Sequence, residues 1–258
     1  MAGAVKAGAG GGAKVSMARR RFFVDQVRGG QARIEGDEAH HLTRVLRVET
    51  GQRYEISDNH DVYLAEIAAA RKDLVTFSIL DRLVAEEPLV RLTLYVSLIR
   101  FERLELLLEK GTELGVWRFV PVEADRSEKG LERAAAKRMP RWNRIAREAS
   151  EQSRRTTLPE LLEPQSFREA VSGASGLRLM LDEDPAAEPL LRALPLARAK
   201  GEEISLIAGP EGGWTERERA ALLGNGWTPV SLGPTTLKTE TAVIAALAVI
   251  NAAWQAGA

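Results

Sequence analysis

Two glycine-rich turns within residues 204–253 constrain the fold more than any other feature of this 258-residue chain. GPEGG (209–213) follows the apolar run ISLIA, and Gly233-Pro234 follows the run PVSL. A helical pattern comes after each turn, as in the strand-to-helix connections of a parallel α/β sheet. Glycine lets the backbone approach a ligand, and the carboxyl ends of such strands form the usual crevice. Either turn alone is equally typical of an ordinary connection, but the pair, followed by LKTETA (237–242), predicts a ligand site.

Strands and helices alternate upstream of these turns. The nearly continuous apolar run at residues 92–99 predicts a strand that is buried on both faces. Pro140 lies inside a long helical pattern and predicts a break or the first turn of a new helix. The predicted strands are 92–99, 118–122, 177–181, 204–208 and 229–232, and the predicted helices are 101–115, 131–155 and 241–254. This alternation predicts an α/β domain with a parallel sheet over residues 86–258.

Residues 17–85 predict a smaller, β-rich domain with one helix. Asp37 is the predicted N-cap of that helix, and Arg44 and Arg47 are expected to project outward. The apolar residues with helical spacing, which are expected to face inward, are Ala39, Leu42, Val45 and Leu46. Alternating patterns predict strands at 22–24, 53–57, 62–67 and 74–80. The Gly/Ala-rich residues 1–16 predict a disordered leader.

The charge distribution favours contact with a polyanion. The chain carries 36 basic and 36 acidic side chains, yet residues 126–155 hold ten Lys or Arg against four Glu. A basic sector on a neutral protein is typical of nucleic-acid binding on one side. The alternative is a set of solvated helix faces.

Composition excludes several classes of protein. The chain has no cysteine, which excludes disulfides, zinc–thiolate sites and cysteine nucleophiles. No apolar run approaches the roughly 18 residues of a membrane span, so we expect a cytoplasmic protein without a membrane partner. His40 and His41 have no carboxylate or cysteine at ligand spacing, and no metal site is predicted. No P-loop and no GxGxxG after a strand is present, which disfavours a Rossmann cofactor site.

Seven short motifs carry a resemblance to a known family. They are GDEAHHLTRVLR (36–47), EKGTELGV (109–116), ADRS (124–127), EASEQSRR (148–155), GPEGG (209–213), SLG (231–233) and LKTETA (237–242). In this order they resemble the RsmE family of SPOUT RNA methyltransferases. The resemblance implies a C-terminal SPOUT α/β-knot domain, whose last helix threads through a loop, and a PUA-like, OB-related N-terminal domain. It also implies a homodimer that uses S-adenosylmethionine to methylate N3 of a uridine in 16S RNA of the small ribosomal subunit.

The resemblance assigns residues to three roles. Cofactor contacts, mostly through the backbone, are implied for Leu181, Gly209, Pro210, Glu211, Gly212, Ser231, Leu232, Gly233, Leu237, Lys238 and Thr241. RNA contacts are implied for Arg19, Arg20, Arg21, Arg44, Arg47, Arg100, Arg126, Ser127, Gln152, Arg154 and Arg155. The catalytic candidates are Arg126, Arg155 and Glu240.

The chemistry of uracil explains these candidates. N3 is a weakly acidic imide nitrogen that must lose its proton to attack a methyl group, and Arg126 and Arg155 would stabilise negative charge on the uracil oxygens. Glu240 would orient a donor, accept the proton, or cap the last helix from its first turn. Lys238 departs from the family, which has Arg at this position. Because lysine cannot make the planar two-bond contact of arginine, the contact there is expected to differ.

Two other functions stay open. A related SPOUT enzyme would methylate another target, such as a ribose 2′-hydroxyl of tRNA or rRNA, but the N-terminal domain and the EQSRR block speak against it. A non-catalytic RNA-binding or ribosome-assembly protein would keep the fold without turnover. That protein would have no need of the glycine turns and TETA, and binding of S-adenosylmethionine would separate it from the enzymes.

Overall fold

A computed structural model describes residues 20–85, 87–184 and 186–257 of the chain. The expected leader and Arg19 lie outside the described residues. Within these ranges no helix is long and apolar enough to cross a membrane.

The N-terminal part forms a five-stranded sheet with one helix against it. The elements are β1 (Arg21–Phe23), β2 (Gln31–Glu35), α1 (Gly36–Arg44), β3 (Arg53–Ser57), β4 (Val62–Arg71) and β5 (Leu74–Leu83). The strand order is β1-β3-β4-β5-β2, with β1 parallel to β3 and the other pairs antiparallel. Alternating residues of the strands, among them Phe22, Ile56 and Phe77, pack with Leu42 of α1 into one core.

Helix α1 corrects two predictions. Asp37 is not the N-cap, because the helix begins at Gly36 and its N-cap is Glu35, whose side chain makes no capping bond. The helix ends at Arg44, and Arg47 adopts a left-handed conformation with φ of 52°. This turn leaves Val45 64% exposed and carries Val48 into the core instead. Strand β2 escaped prediction, although its polar and apolar residues alternate as in a half-buried strand.

The C-terminal part forms a larger sheet in which all strands are parallel. Its elements are β6 (Val90–Ser97), α2 (Phe101–Glu113), β7 (Val116–Glu123), α3 (Leu131–Gln152), β8 (Glu160–Leu161), β9 (Gln165–Ser166), α4 (Phe167–Ser172), β10 (Leu177–Leu181), β11 (Glu188–Pro189), α5 (Leu190–Ala193), β12 (Glu202–Ala208), α6 (Glu216–Gly224), β13 (Thr228–Ser231) and α7 (Thr239–Gly257). The order is β11-β13-β10-β12-β6-β7-β8, and β9 also pairs with β7. The predicted α/β fold with a parallel sheet and a separate β-rich N-terminal sheet is confirmed.

Apolar residues cover both faces of this sheet. On one face α2, α3 and α7 pack against the strands through residues such as Leu104, Trp142 and Ile250. On the other face Trp227 meets the Tyr95 ring edge-on at 5.7 Å. Burial on both faces explains the continuous apolar runs of the central strands. The strand ends are then the places where polar groups and glycines reach the surface.

Helix α3 does not break at Pro140. It runs without interruption from Leu131 to Gln152, with Pro140 on its exposed side between the buried Met139 and Trp142. The lost hydrogen bond and the ring clash of an interior proline cost about 3 kcal/mol. Burial of the large neighbouring side chains, at roughly 1.5–3 kcal/mol each, offsets this cost.

The two sheets meet at the end of α3. The buried Glu55 of β3 accepts hydrogen bonds from Arg21 at 2.7 Å and from Arg154. Ser57 Oγ donates to the Thr156 carbonyl at 2.6 Å. Arg147 pairs with Glu38 of α1 at 2.7 Å. Arginines that the sequence assigned to RNA are therefore used, in part, to join the two sheets.

Candidate cofactor and substrate site

Three loops at the carboxyl edge of the larger sheet enclose a cavity of about 620 Å³. The loops follow β10, β12 and β13, which are neighbours in the sheet. They supply wall residues from within 181–184, 208–214 and 230–239. The wall is completed by Arg103 of α2, Arg126 of the loop after β7, Glu216 and Arg219 of α6, and Ala242 of α7. A cavity of this size at the carboxyl ends of parallel strands is suited to a small molecule.

Gly209 forms the floor of the cavity together with Trp214. A Cβ atom on Gly209 would lie 3.1 Å from Cε2 of the Trp214 indole, so only glycine fits without displacing the ring. The indole packs against the Phe167 ring with 5.8 Å between centroids. Its Nε1 is buried and has no hydrogen-bond partner within the described part of the chain. The floor thus offers a flat apolar surface.

An acidic segment after β10 forms one side of the cavity. Arg219 of α6 donates to Asp182 Oδ1 at 2.9 Å and to Asp184 Oδ2 at 3.0 Å. These bonds hold the segment in place and leave Glu183 exposed next to Gly213. The segment has three carboxylates and is paired with one guanidinium, that of Arg219, so this side of the cavity carries a net negative charge. The residues of this segment were not predicted to belong to the site, although their position directly after a strand was a usable signal.

Arg103 also lines the cavity, whereas the catalytic candidate Glu240 lies next to Arg103 and is not part of the wall. Arg103 Nη1 donates to Glu211 Oε1 at 3.0 Å, and its Nε lies 3.9 Å from Glu240 Oε1. Glu240 Oε2 is buried and accepts no hydrogen bond from the described residues. Thr239 Oγ1 donates to the Gly209 carbonyl at 3.3 Å and so joins two of the loops. Arg103 was missed from the sequence because its place in the first turn of a helix gives no separate motif.

Arg126 lies at the mouth of the cavity. Its Nη1 donates to the Gly212 carbonyl at 2.7 Å. A Cβ on Gly212 would meet the Arg126 Cδ at 3.3 Å, so the side chain runs closely along this glycine. The guanidinium therefore borders both the cofactor loops and the solvent.

The cavity brings together most of the residues assigned to the cofactor. The nine that line it are Leu181, Gly209, Pro210, Glu211, Ser231, Leu232, Gly233, Leu237 and Lys238. Gly212 lies beneath Arg126, and Thr241 is exposed in the first turns of α7 rather than in the wall. Their role in binding stays a prediction.

Arg155 is not close to this cavity in the same chain, contrary to its expected place beside Arg126. Its Nη1 donates to the Thr112 carbonyl at 2.9 Å, and burial lowers the pKa of its guanidinium to about 10. Thr112 lies at the end of α2, whereas Arg103 lies near its start. At 1.5 Å per residue these positions are about 14 Å apart. Helix α3 begins near the cavity and carries the EQSRR segment to the opposite edge of the sheet.

The other residues assigned to RNA divide into two groups. Arg21 and Arg154 hold Glu55, with Arg154 in a left-handed conformation at φ of 58°. The members that do not bind Glu55 are exposed or half-buried: Arg20, Arg44, Arg47, Arg100, Arg126, Ser127 and Gln152. No group of three His, Asp or Glu residues placed to hold a metal occurs within 20–85, 87–184 and 186–257.

Comparison with known proteins defines first the class and then the family. The family model for an RNA methyltransferase domain matches residues 85–251, and that for an RNA methyltransferase PUA domain matches residues 34–80. The ribosomal RNA small subunit methyltransferase E of Bacillus subtilis is 31% identical, over 84% of this chain and 88% of the relative. The ribosomal RNA small subunit methyltransferase E of Mycobacterium tuberculosis is also 31% identical, over 92% of this chain and 94% of the relative. The chain belongs to the ribosomal RNA small subunit methyltransferase E family.

Solved structures agree with this assignment. The crystal structure of ribosomal RNA small subunit methyltransferase E from Neisseria gonorrhoeae, bound to S-adenosyl methionine, is 30% identical with a TM-score of 0.80. The match covers 90% of this chain and 97% of the other. A putative methyltransferase from Legionella pneumophila, in complex with the same cofactor, is 31% identical with a TM-score of 0.81 and the same coverage.

Proposed function

We propose that the protein methylates N3 of a uridine in 16S RNA of the small ribosomal subunit, using S-adenosylmethionine. The observation that carries this proposal is the cavity at the ends of β10, β12 and β13. It occurs in a chain that is 30–31% identical, over 90% of its length, to two proteins whose structures hold this cofactor.

The residues of the cavity fit the chemistry of S-adenosylmethionine. The cofactor has a flat purine with apolar faces and a methionine end that carries a sulfonium cation, an ammonium cation and a carboxylate. Leu181, Leu232 and Trp214 offer apolar surface for the purine, and the acidic segment after β10 suits the cations. Gly209 packs closely against the Trp214 indole, and its backbone, which lines the cavity, would be available for contacts to the cofactor.

Arg126 and Glu240 take the reactive roles in this proposal. The bound cofactor supplies an electrophilic methyl group. The Arg126 guanidinium, at the mouth of the cavity, would donate to a uracil oxygen and stabilise the negative charge that develops as N3 loses its proton. Glu240 Oε2, which is buried without a partner among the described residues, would accept that proton or orient the group that does. Arg155, which holds the end of α2 through the Thr112 carbonyl, is not assigned to the substrate in this proposal.

RNA is expected to run along the exposed arginines. Arg44, Arg47 and Arg100 project to solvent and would contact phosphates, which fix the position of the RNA without reading its sequence. We place the domain boundary between residues 85 and 86; in support, the two family models match residues 34–80 and 85–251. The compartment would be the cytoplasm, where ribosomal subunits are available.

A homodimer is the proposed assembly. Thr241, Ala248 and Ala252 are exposed along one side of α7 and leave space for the close approach of a second helix. The N-terminal part of this helix borders the cavity through Thr239 and Ala242, so a partner there would lie near the cofactor.

The test is methyl transfer from labelled S-adenosylmethionine to two RNAs: small ribosomal subunits without their native methylations, and tRNA. The proposal predicts label in the small-subunit RNA and none in tRNA. Label in tRNA would assign the protein to another methyltransferase function. Cofactor binding without label in either RNA would point to another substrate, and no cofactor binding would favour a ribosome-assembly role.

A further inference from the structure

One buried carboxylate joins the loop that carries Arg126 to the loop that follows β12. Glu218, in the first turn of α6, is 2% exposed. Its Oε1 accepts a hydrogen bond from the Asp125 N–H at 2.7 Å. Its Oε2 accepts from the Thr215 N–H at 2.9 Å and lies 2.9 Å from Thr215 Oγ1, which completes a capping box. One side chain therefore fixes both the start of α6 and the neighbouring loop.

The loop held in this way is a tight turn. The Ser127 N–H donates to the Ala124 carbonyl at 3.0 Å, which places Asp125 and Arg126 at the two central positions. Arg126 extends from this turn along Gly212 and donates to its carbonyl at 2.7 Å. Because the bond from Glu218 holds the backbone of the residue directly before Arg126, it fixes the direction in which the guanidinium points.

A second contact to the same turn is weaker. The Asp125 carboxylate pairs with Arg217, whose Nη2 lies 2.8 Å from both oxygens, but the Arg217 side chain is 81% exposed. An exposed ion pair contributes about 0–1 kcal/mol. The bond from the Glu218 carboxylate to the Asp125 N–H is charge-assisted and shielded from water, which makes it the stronger constraint.

We propose that Glu218 is a positioning residue, which holds Arg126 in the orientation that the methyl transfer requires. This inference rests on the proposed function, in which Arg126 donates to the substrate. Moving a catalytic group by about 1 Å is enough to lower the reaction rate by about 100-fold. The loss of Glu218 is therefore expected to lower turnover mainly through Arg126, with little change in the affinity for the cofactor.

The chain offers a matched control in α4. Glu169 forms the same capping box with Ser166, whose N–H and Oγ lie 3.1 and 2.6 Å from Glu169 Oε2. Glu169 is exposed and does not line the cavity. It reproduces the capping function of Glu218 without the bond to a catalytic loop.

The experiment is a double-mutant cycle in the full-length protein with methyl transfer as the readout. Glu218→Ala should lower kcat about tenfold or more, while the calorimetric Kd for S-adenosylmethionine changes less than about threefold. In an Arg126→Ala background the same substitution should lower kcat by less than about twofold. Glu169→Ala should leave kcat within about twofold. An equal loss of kcat with and without Arg126, or a Kd that weakens as much as kcat falls, would overturn the proposal.

Hydrogen exchange gives a readout that does not depend on the substrate. The amides of residues 124–127 should exchange faster in Glu218→Ala, and in the milder Glu218→Gln, than in the wild type or in Glu169→Ala. Unchanged exchange in both Glu218 variants would refute the positioning role. If the wild type transfers no methyl group but the exchange pattern holds, the proposed function fails while the structural link is confirmed.

Discussion

Glu151 gives the folded protein a pH-dependent stability. This residue of α3 is 4% exposed, and burial, together with the nearby Glu38 carboxylate, raises its pKa from an ordinary value near 4.5 to about 8. The guanidinium groups of Arg147 and Arg20 oppose this rise without cancelling it. The folded protein therefore keeps a proton on Glu151 at neutral pH, whereas the unfolded chain has lost it.

The direction and size of the effect follow from proton linkage. Unfolding releases a proton between about pH 4.5 and pH 8, so the free energy of unfolding falls as the pH rises through this window. At about 1.4 kcal/mol per pH unit, the cost to the folded state is close to 1 kcal/mol at pH 5 and reaches about 4 kcal/mol at pH 8. Glu151→Gln, which mimics the protonated form, should remove this cost, which is about 1 kcal/mol at pH 5 and about 4 kcal/mol at pH 8.

Thermal unfolding of both proteins from pH 5 to pH 8 tests the prediction. A chain of this size shifts its Tm by about 2–4 °C per kcal/mol, so the variant should exceed the wild type by roughly 8–16 °C at pH 8. At pH 5 the difference in Tm should shrink to about 2–4 °C. Glu148→Gln, an exposed change on the same helix, should follow the wild type. Parallel pH profiles for the wild type and Glu151→Gln would refute the reasoning.

Three further predictions concern the site and the junction of the sheets. Gly209→Val places methyl groups against the Trp214 indole, so the Kd for S-adenosylmethionine should rise at least about tenfold in calorimetry while RNA affinity stays unchanged; an unchanged Kd would argue against this floor. Arg126→Ala should lower kcat by about 10²-fold with the cofactor Kd within about threefold, and a loss confined to Kd would contradict its assigned role. Glu55→Ala, which leaves its arginine partners unpaired, should destabilise the protein by about 2–4 kcal/mol in urea unfolding. Glu66→Ala, in an exposed pair, should cost less than about 1 kcal/mol, and equal losses would show that Glu55 does not join the sheets.

The sequence predicted the α/β sheet and the cavity because their signals are local. A strand buried on both faces needs a continuous apolar run, as at residues 92–99, and a close approach of backbone to side chain needs a glycine, as at Gly209. Both requirements can be recognised from residues that are adjacent in the sequence. The three loops then converge because the strands are parallel and neighbouring, which the glycine turns already suggested.

Other features depended on contacts between distant residues. Arg154 binds Glu55, about a hundred positions earlier, and Arg155 binds the end of α2. The residues next to these arginines in the sequence do not indicate either contact. The sequence around Pro140 likewise does not show that the helix continues through it, because the continuation depends on the packing of neighbouring side chains against distant residues. Charge runs are ambiguous in sequence for this reason: an arginine that contacts RNA and one that joins two domains have the same local pattern.

The identity of the methylated atom tests the central claim most directly. Small ribosomal subunits without native methylations would be incubated with the protein and labelled S-adenosylmethionine, and their RNA digested to nucleosides for chromatography and mass analysis. The proposed function predicts a single labelled product, N3-methyluridine, whose rate of formation falls about 10²-fold when Arg126 is replaced by alanine. Label on a ribose, or on a base other than uracil, would contradict it.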